Sequence, residues 1–421
     1  MKTLRKAITK INYFFVCCLI LLCVSEAPAA ATDISSWREL GRAIEVANSS
    51  GSGVITLTDH IIFDDAGDDE TLPVIAVPLT IHGHGYKVDA AASSKDERPV
   101  FQIKGSDAEV TFEDLTITGG YALFGGGGVS VEEGRVKLAH CQVINNVSEL
   151  GGGGGIRVRN GGCVSFEDCV IKNNDVLLHK SGGGIFFEGS SEESRLVFKN
   201  CTIADNRAQG DGRGGGGIYV RRGNASFDSC ELSGNKTTGS GGGFFIMDGK
   251  AVFRNSRICD NEAKEGAGLH IVISGVDLTG CMVSNNRTKR GGRGGGIFFS
   301  NLPVEDRALR LTETQVLKNT CGYAGGGIHV EMGSSFFSGV TVTQNSATDA
   351  DAIAGGAFIS APAVFENTTV KGNTAQTAPD LFLSSDFGGV FETLGGNDIG
   401  YIEGRFFPSG GQGDKIIRNC D

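Results

Sequence analysis

The sequence has few prolines, only 8 in 421 residues, but it has 65 glycines. This glycine content is roughly twice the ~7% of an average protein. The hydrophobic fraction is 40%, which is ordinary for a folded chain and higher than that of glycine-rich disordered segments. We therefore predict a folded protein in which glycine has a structural role.

Positive charge is also in short supply. The formal net charge is −11, which argues against nucleic acid as a partner. The 12 cysteines show no paired Cys-x-x-Cys spacing, and the seven histidines are scattered, so neither a zinc site nor a redox motif is indicated. No cofactor is expected from these features.

Long hydrophobic runs are confined to the N-terminus. Four basic residues precede the apolar run YFFVCCLILLCV, and EAPAAATD then offers small-residue cleavage points after Ala29 or Ala31. The run is too short for a membrane span of ~20 residues. We interpret residues 1–31 as a cleaved signal peptide, and we expect a protein that is secreted or associated with the outer surface and has no transmembrane anchor after cleavage.

A repeat of about 28 residues dominates the rest of the chain. Each unit contains an apolar residue, a small residue three positions later, an aliphatic residue at five and Asn at eight, as in FEDCVIKNN, FKNCTIADN and FDSCELSGN. A polar loop, a glycine run and a short apolar strand follow, and the glycine runs end at residues such as Ile185, Ile218 and, in the last unit, Phe358. Length changes are expected only in the loop between Asn and glycine.

The short segments alternate in and out with period two, which predicts strands. Three such strands per repeat predict an all-β protein: a right-handed, single-stranded parallel β-helix of about ten or more coils, with coils ~4.8 Å apart. The repeated Phe would form an internal ladder, the cysteines at the small position would be buried, and Asn would form a turn ladder by bonding the neighbouring coil. The ladder residues are Asn146, Asn174, Asn206, Asn235, Asn261, Asn286, Asn319, Asn345 and Asn373.

The glycine runs raise a separate question at TKRGGRGGGIFFS, which resembles an Arg-Gly-Gly nucleic-acid segment. The run occupies the same repeat position as SGGGIFF and AGGGIHV. Glycine is required where a chain turns with positive φ or where backbones approach closely. We therefore favour the structural interpretation.

The ends of the rod require caps. SSWRELGRAIEVANSSG predicts a short capping helix, with Ser36 and Glu39 as a capping box. We divide the chain into a signal peptide (1–31), the cap helix and first coils (32–111), the repeated coils (112–376) and a C-terminal cap and tail (377–421).

The combination of GGGI or GGAF with aliphatic-x-x-Asn, repeated nine times over about 112–376, resembles the polymorphic outer-membrane protein repeat family. That resemblance implies an exported bacterial β-helix of the pectate-lyase-like class, acting as a surface adhesin. The chain departs from the family because Phe-x-x-Asn is replaced by aliphatic-x-x-Asn, and Gly-Gly-Ala occurs strictly only at residues 355–357. The family's C-terminal barrel also lacks a counterpart here, which leaves open how the protein would be held at a surface.

A polysaccharide lyase or hydrolase of the pectate-lyase-like class is the alternative, and an inert structural spacer is the second. An enzyme of that kind needs converging carboxylates. The densest acidic loop, FDDAGDDE, offers Asp64, Asp65, Asp68 and Asp69, which could hold Ca²⁺ but are more simply explained as a solvated loop. The sequence therefore favours binding over catalysis.

Basic side chains occur in the loops between Asn and glycine. Lys289, Arg290 and Arg293 are the densest group, and in a β-helix they would lie along one edge of the rod. We regard them as a candidate contact for an anionic host or cell-surface glycan or an acidic protein, against the simpler explanation of solubilising charge. The oligomeric state stays open.

Overall fold

The computed structural model describes residues 29–64, 71–93, 96–160, 162–178, 181–191, 193–209, 214–302, 307–384, 386, 390–404 and 411–418. Residues 1–28 of the predicted signal peptide (1–31) and Cys420 lie outside these ranges. The described chain is a parallel β-solenoid of about 12 turns with one short helix near its N-terminus. The predicted β-helix with a capping helix is confirmed.

Each complete coil contains four short strands, here called A, B, C and D in chain order, and every ladder between coils is parallel. The A strands are Phe101–Lys104, Val129–Glu132, Ile156–Arg159, Ile185–Glu188, the first part of Ile218–Asp228 and of Phe244–Arg254, Leu269–Val272, Ile297–Ser300, Ile328–Met332, Ala357–Ile359, Leu381–Leu383 and the end of Asp398–Gly404. The B strands are Ala29–Ile34, Gly53–Leu57, Leu79–His82, Glu109–Glu113, Arg135–Ala139, Cys163–Glu167, Arg195–Lys199, the second part of Ile218–Asp228 and of Phe244–Arg254, Gly275–Thr279, Leu309–Thr312, Ser335–Ser338, Ala363–Glu366 and Phe391–Gly395.

The remaining two strand series are shorter. The C strands are Ile61–Ile62, Lys87–Asp89, Thr116–Thr118, Gln142–Ile144, Val170–Lys172, Thr202–Ala204, Glu231–Ser233, Arg257–Cys259, Met282–Ser284, Gln315–Leu317, Thr341–Thr343, Thr369–Val370, the start of Asp398–Gly404 and Lys415–Arg418. The D strands are Tyr121–Ala122, Val147–Ser148, Asp175–Val176, Arg207–Ala208, Lys236–Thr237, Glu262–Ala263, Arg287–Thr288, Thr320–Cys321 and Ser346–Ala347. The D strands were not predicted, because two residues are too few to show an alternating pattern.

The helix α1, Trp37–Ser50, connects the first two B strands in the chain and packs against both of them. Ser36 accepts a hydrogen bond from the Glu39 N–H at 3.4 Å, and Gly51 ends the helix in the left-handed conformation. The Glu39 carboxylate accepts from the Ser35 N–H, one residue before the position of a standard capping box. One apolar face of the helix is buried: Trp37, Leu40, Ala43, Ile44 and Ala47.

The Asn ladder runs without a break from Asn146 to Asn373. From Asn174 onward, each Oδ1 accepts from the main-chain N–H and the Nδ2 of the Asn one coil earlier, at 2.9–3.1 Å. The Oδ1 of Asn146 accepts from the Gly120 N–H at 3.0 Å. Each Nδ2 also donates to a main-chain carbonyl, as Asn235 does to Ile203 at 2.8 Å. The ladder thus satisfies buried polar groups of the C–D turn in the nine coils that it spans.

Inside the rod, phenylalanine rings stack as predicted on the B strands. Rings of successive coils stack on one another: the centres are 4.3–4.8 Å apart from each ring to the next in the series Phe166, Phe198, Phe227 and Phe253. Phe337 stacks on Phe365 at 5.0 Å. Leu278 and Leu311 occupy the intervening positions. Complete burial of such rings supplies a large share of the hydrophobic free energy.

A column of thiols lies beside these rings. Cys141, Cys169, Cys201 and Cys230 are buried in successive coils, and their thiols donate to main-chain carbonyls, as Cys169 does to Leu138 at 3.4 Å. Interaction with the neighbouring thiols of Cys141 and Cys201, together with burial, raises the pKa of the Cys169 thiol. Each of the eight described cysteines is a free thiol, and Cys163 alone among them is partly exposed.

We predict that iodoacetamide modifies Cys163 first in the native protein. The other seven described cysteines are buried and therefore inaccessible to the reagent, and burial also raises the pKa of the Cys321 thiol to about 12. Mass spectrometry of tryptic peptides after a timed pulse would give the order of labelling. Modification of Cys201 as early as Cys163 would contradict the buried column.

A second stack of rings lies on the outer face of the A strands. It is called the outer ring column here, and its ring centres are 4.6–5.3 Å apart with planes within 11° of parallel. Its members are Phe186, Tyr219, Phe245, His270, Phe298, His329, Phe358 and Phe382. The glycine runs pass over it, because a Cβ on Gly241 would lie 2.8 Å from the Cβ of Phe245.

This column corrects the alignment of the last repeat. Ala357 pairs with Ile328 and faces the core, while Phe358 pairs with His329 and faces outward. The sequence prediction had placed Phe358 at the inward position, because the small side chain of Ala357 was taken as part of the glycine run.

The RGG-like stretch has the predicted structural role. Gly294 has φ 61°, and a Cβ on Gly296 would lie 2.7 Å from the carbonyl oxygen of Gly327 in the next coil. A side chain at the first position is strained, and a side chain at the second collides with backbone. Glycine is required here by the turn and by the spacing between coils.

Candidate ligand-binding groove

The three predicted edge cations have different environments. Lys289 and Arg290 are exposed. Arg293 is about 30% exposed, donates to Glu331 at 2.6 Å and to Glu265 at 3.0 Å, and lies 5.0 Å from the ring centre of Phe298. Arg293 therefore fastens the loop over the outer ring column, and its charge is balanced by two carboxylates.

Negative charge also lies close to the other two cations. The Asp349 carboxylate accepts a hydrogen bond from the Gly291 N–H at 2.8 Å. The loop that carries Lys289 and Arg290 is thus bound to a carboxylate from the next-but-one D–A loop. The edge as a whole is weakly charged.

The predicted acidic loop is largely outside the described residues. Asp64 is exposed, and Asp65, Asp68 and Asp69 lie in the undescribed segment. Within the described parts of the chain, no group of three or more His, Cys, Asp or Glu side chains is placed to hold a metal ion. The Ca²⁺ hypothesis for this loop stays a prediction.

The A–B corner varies in length, which the sequence analysis did not predict. Most coils turn this corner in two or three residues, as at Arg222–Gly223 and Asp248–Gly249. Three coils have longer connections there: residues 189–194 and 301–308 in the middle of the rod, and residues 384–390 near its C-terminal end. The difference in length could have been detected in the sequence. The distance from the start of the A strand to the ladder Asn is 21 positions from Ile185 to Asn206, but 17 from Ile218 to Asn235.

The described residues of the loops at 189–194 and 301–308 flank a groove. They are four coils apart, which corresponds to ~19 Å along the rod. The floor between them consists of the tight corners at Arg222–Gly223 and Asp248–Gly249, and the cavity has a volume of about 250 Å³. Its lining residues are Ser190, Ser191, Arg222, Gly223, Asn224, Asp248, Gly249, Lys250 and Arg307.

The close approach of the two tight corners requires glycine at position 249. A Cβ on Gly249 would lie 2.2 Å from the carbonyl oxygen of Gly223. The preceding residues Arg222 and Asp248 have φ of 49° and 60°, so the chain reverses within two residues. The side chains of Arg222 and Asp248 are thereby placed in the groove.

Arg307 reaches into the groove from the longer loop. Its Nη1 donates to the Ile273 carbonyl at 2.6 Å, and its Nη2 donates to Asp248 Oδ1 at 2.9 Å. This guanidinium therefore bridges two coils and is about 24% exposed. The Asp248 and Arg307 charges balance one another.

A positive cluster adjoins the other wall, and its member Arg222 lines the cavity. The Glu188 carboxylate is bonded to Arg159 at 3.4 Å, Arg221 at 3.1 Å and Arg222 at 3.3 Å. One negative charge among three guanidinium groups leaves two positive charges, and exposed Lys250 adds a third. Glu188 holds the guanidinium groups in fixed positions, which favours binding of an anion.

The groove chemistry suits binding better than acid–base catalysis. Its described lining contains one carboxylate, Asp248, and that group is paired with Arg307. Glycoside hydrolysis generally needs two facing carboxylates. An array of Arg, Lys, Ser and Asn side chains can instead bind the acidic and hydroxyl groups of a ligand.

The structure is thus a parallel β-solenoid with a candidate groove at its A–B corner. The chain matches the family described as "Right handed beta helix region" over residues 83–211 and 199–375. It therefore belongs to the right-handed β-helix family. Neither the curated proteins nor the solved structures gave a match.

No helix in the described part of the chain is long and apolar enough to cross a bilayer.

Proposed function

We propose that this protein is an exported β-helix that binds an acidic polysaccharide in the groove at the A–B corner. The observation that carries the proposal is the cluster of Arg159, Arg221 and Arg222 around a single carboxylate, Glu188, beside Lys250. A polyanion would replace the missing negative charge, and a groove that opens to solvent between the two flanking loops accommodates one segment of a polymer.

The overall charge of the protein sharpens this proposal. The chain is acidic, with a net charge of −11, so a positive groove is a local exception. Repulsion elsewhere would direct a polyanion to the corner, and the interaction would weaken with salt.

The cellular setting belongs to the same proposal. The predicted N-terminal signal peptide and the resemblance to the polymorphic outer-membrane protein repeats support a surface or extracellular, adhesin-like role. Extended solenoid faces with variable loops are suited to binding. The source of the glycan, host or cell surface, is part of what the experiments must establish.

The test is a binding titration with three probes: polygalacturonate, heparin and neutral dextran. We expect the first two to bind and dextran not to bind. The double variant Arg222→Gln/Lys250→Gln should weaken binding about tenfold, equivalent to ~1.4 kcal/mol, and should reduce its dependence on salt.

Two control variants remove positive charge outside the groove. Lys289→Gln/Arg290→Gln tests the edge suggested by sequence, and Arg257→Gln changes an exposed residue on the C face. Equal loss of binding in the edge variant and the groove variant would contradict the assignment to the groove. Release of unsaturated uronate from polygalacturonate by the wild-type protein would instead favour the lyase alternative.

A further inference from the structure

A second cavity lies on the outer face of the A strands, several coils before the groove. Its volume is about 280 Å³. Gln102, Ser130 and Arg157 line its floor, and Glu97 and Phe124 line its rim. None of these five residues belongs to the lining of the corner groove.

The floor residues form a column that continues the outer ring column. Gln102 pairs with Ser130, Ser130 pairs with Arg157, and Arg157 pairs with Phe186, the first ring. From Phe186 onward the column is aromatic and covered by the glycine runs. Before it, three polar side chains occupy the same position and face the cavity.

Among the three polar floor residues, Arg157 has a buried donor without a partner. Its Nε is buried, with no hydrogen-bond partner in the described part of the chain. Burial and repulsion from Arg159 lower the pKa of the guanidinium, against attraction from Glu132 and Glu188. A buried donor without an acceptor is costly, so an acceptor supplied from outside would stabilise it.

The rim supplies two further kinds of contact. Phe124 is 62% exposed and presents an apolar surface at the rim. The Glu97 Oε1 accepts a hydrogen bond from the Leu123 N–H at 3.0 Å, which fixes this carboxylate at the edge of the cavity. An apolar face and a hydroxyl acceptor therefore flank the guanidinium.

We propose that this cavity binds one carboxylate-bearing sugar residue. The sugar carboxylate would accept from Arg157, the ring hydroxyls would bond Gln102, Ser130 and Glu97, and the apolar face of the ring would lie on Phe124. This site is separate from the corner groove and does not depend on it. A uronate and a sialic acid share the required chemistry.

Binding of monosaccharides would test the site. Methyl β-D-glucuronide, the methyl glycoside of N-acetylneuraminate and neutral methyl β-D-glucoside would be titrated into the full-length protein and followed by ligand-observed NMR. We expect one or both acidic sugars to bind at millimolar concentration and the glucoside to bind at least tenfold more weakly. The two acidic sugars distinguish a uronate site from a sialic acid site.

Variants would separate a binding role from a structural one. Arg157→Met should abolish binding while leaving the melting temperature unchanged or raised, because it removes an unsatisfied buried donor. Arg157→Lys should weaken binding about five- to tenfold, since the charge remains but the paired donors are lost. Arg257→Met is the matched control and should bind as the wild type does.

Several results would overturn the proposal. The neutral glucoside could bind as tightly as the acidic sugars, or the Arg157→Met variant could bind the acidic sugars as the wild type does. Failure of both acidic sugars to bind to the wild type would also contradict the proposal. A lowered melting temperature for Arg157→Met would assign Arg157 to structure. The groove variant Arg222→Gln/Lys250→Gln should keep monosaccharide binding, so that failure of one site is distinguishable from failure of the other.

Discussion

Replacing Asn235 with aspartate is expected to destabilise the middle of the rod by several kcal/mol. Asn235 is completely buried, and its Nδ2 donates to the Ile203 carbonyl at 2.8 Å and to Asn261 Oδ1 at 3.1 Å. Its Oδ1 accepts from the main-chain N–H and the Nδ2 of Asn206, both at 3.0 Å. Each of the four bonds links this coil to a neighbour or to its own turn.

Aspartate at this position keeps the acceptor and loses the donor. An oxygen in place of Nδ2 would face two other oxygen atoms, and the carboxylate would be buried without a cation. Two lost donations cost about 1–3 kcal/mol each, and an uncompensated buried charge adds to this. The total is a large part of the 5–15 kcal/mol that stabilises a typical domain.

Asp380 provides a natural contrast at the end of the ladder. Its Oδ1 accepts from the N–H and the Nδ2 of Asn373, at 2.9 and 3.0 Å, and its Oδ2 accepts from the Tyr401 N–H at 2.8 Å. A carboxylate suits this last position because the ladder passes on no further donor. Asp380→Asn should therefore lose only the hydrogen bond to the Tyr401 N–H, which lowers the free energy of unfolding by about 1 kcal/mol.

Urea unfolding monitored by circular dichroism would compare these variants. Asn255→Asp is the matched control, since Asn255 is exposed at a B–C turn with φ 49° and aspartate tolerates that conformation. We expect the order of stability to be control, Asp380→Asn and then Asn235→Asp. If Asn235→Asp were as stable as the control, the ladder would not be a source of stability.

The ladders could be predicted from sequence because each position imposes the same requirement in every coil. An inward Phe must fit the ring above it, and a turn Asn must both donate and accept, so one residue type recurs at a fixed spacing. Asp380 escaped detection because it ends the series seven residues after Asn373 instead of one full coil later. Phe358 was misplaced because alanine and glycine are similar in a search for small residues.

The candidate sites could not be predicted in the same way. The groove requires Arg307 to meet Asp248, 59 residues earlier, and no repeat relates the two. The outer ring column was visible in sequence as an aromatic residue or His after each inward aliphatic. It was overlooked because an outward position was assumed to face solvent, whereas the glycine runs cover it.

That covered column leads to the second large expected effect. The wild-type protein should lose stability between pH 6.5 and pH 4 more steeply than the variant His270→Phe/His329→Phe. Burial, followed by repulsion from Arg293, lowers the pKa of both imidazoles from 6.5 to about 3. Phenylalanine occupies neighbouring positions of the same column, so the replacement rings should fit.

The sign follows from the direction of the shift. In the folded protein both histidines stay neutral below pH 6.5, whereas in the unfolded chain they take up protons at about pH 6.5. The unfolded state therefore binds more protons, and stability falls as the pH drops from 6.5 towards 3. Each histidine contributes up to about 1.4 kcal/mol per pH unit in that window.

Other charged groups face the column and must be separated from this effect. Arg293 lies over Phe298 between the two histidines and is paired with Glu265 and Glu331. These pairs remain in the double-Phe variant, so their own response to acid is common to both proteins. The difference between the two melting curves, measured by calorimetry at pH 7.5, 6.0, 5.0 and 4.0, isolates the imidazoles.

Parallel curves would show that the histidines do not carry the acid response. If the curves diverge, the first structural change should be local, because His329 has both ring nitrogens buried without a partner and a charged imidazolium there would repel Arg293. Hydrogen exchange at pH 5 should then rise in the loop that Arg293 fastens, before it rises in the coils around Phe198 and Phe227. Such a result would place the acid-sensitive point of the rod in its outer layer, because the Asn and Phe ladders contain no group that titrates in this range.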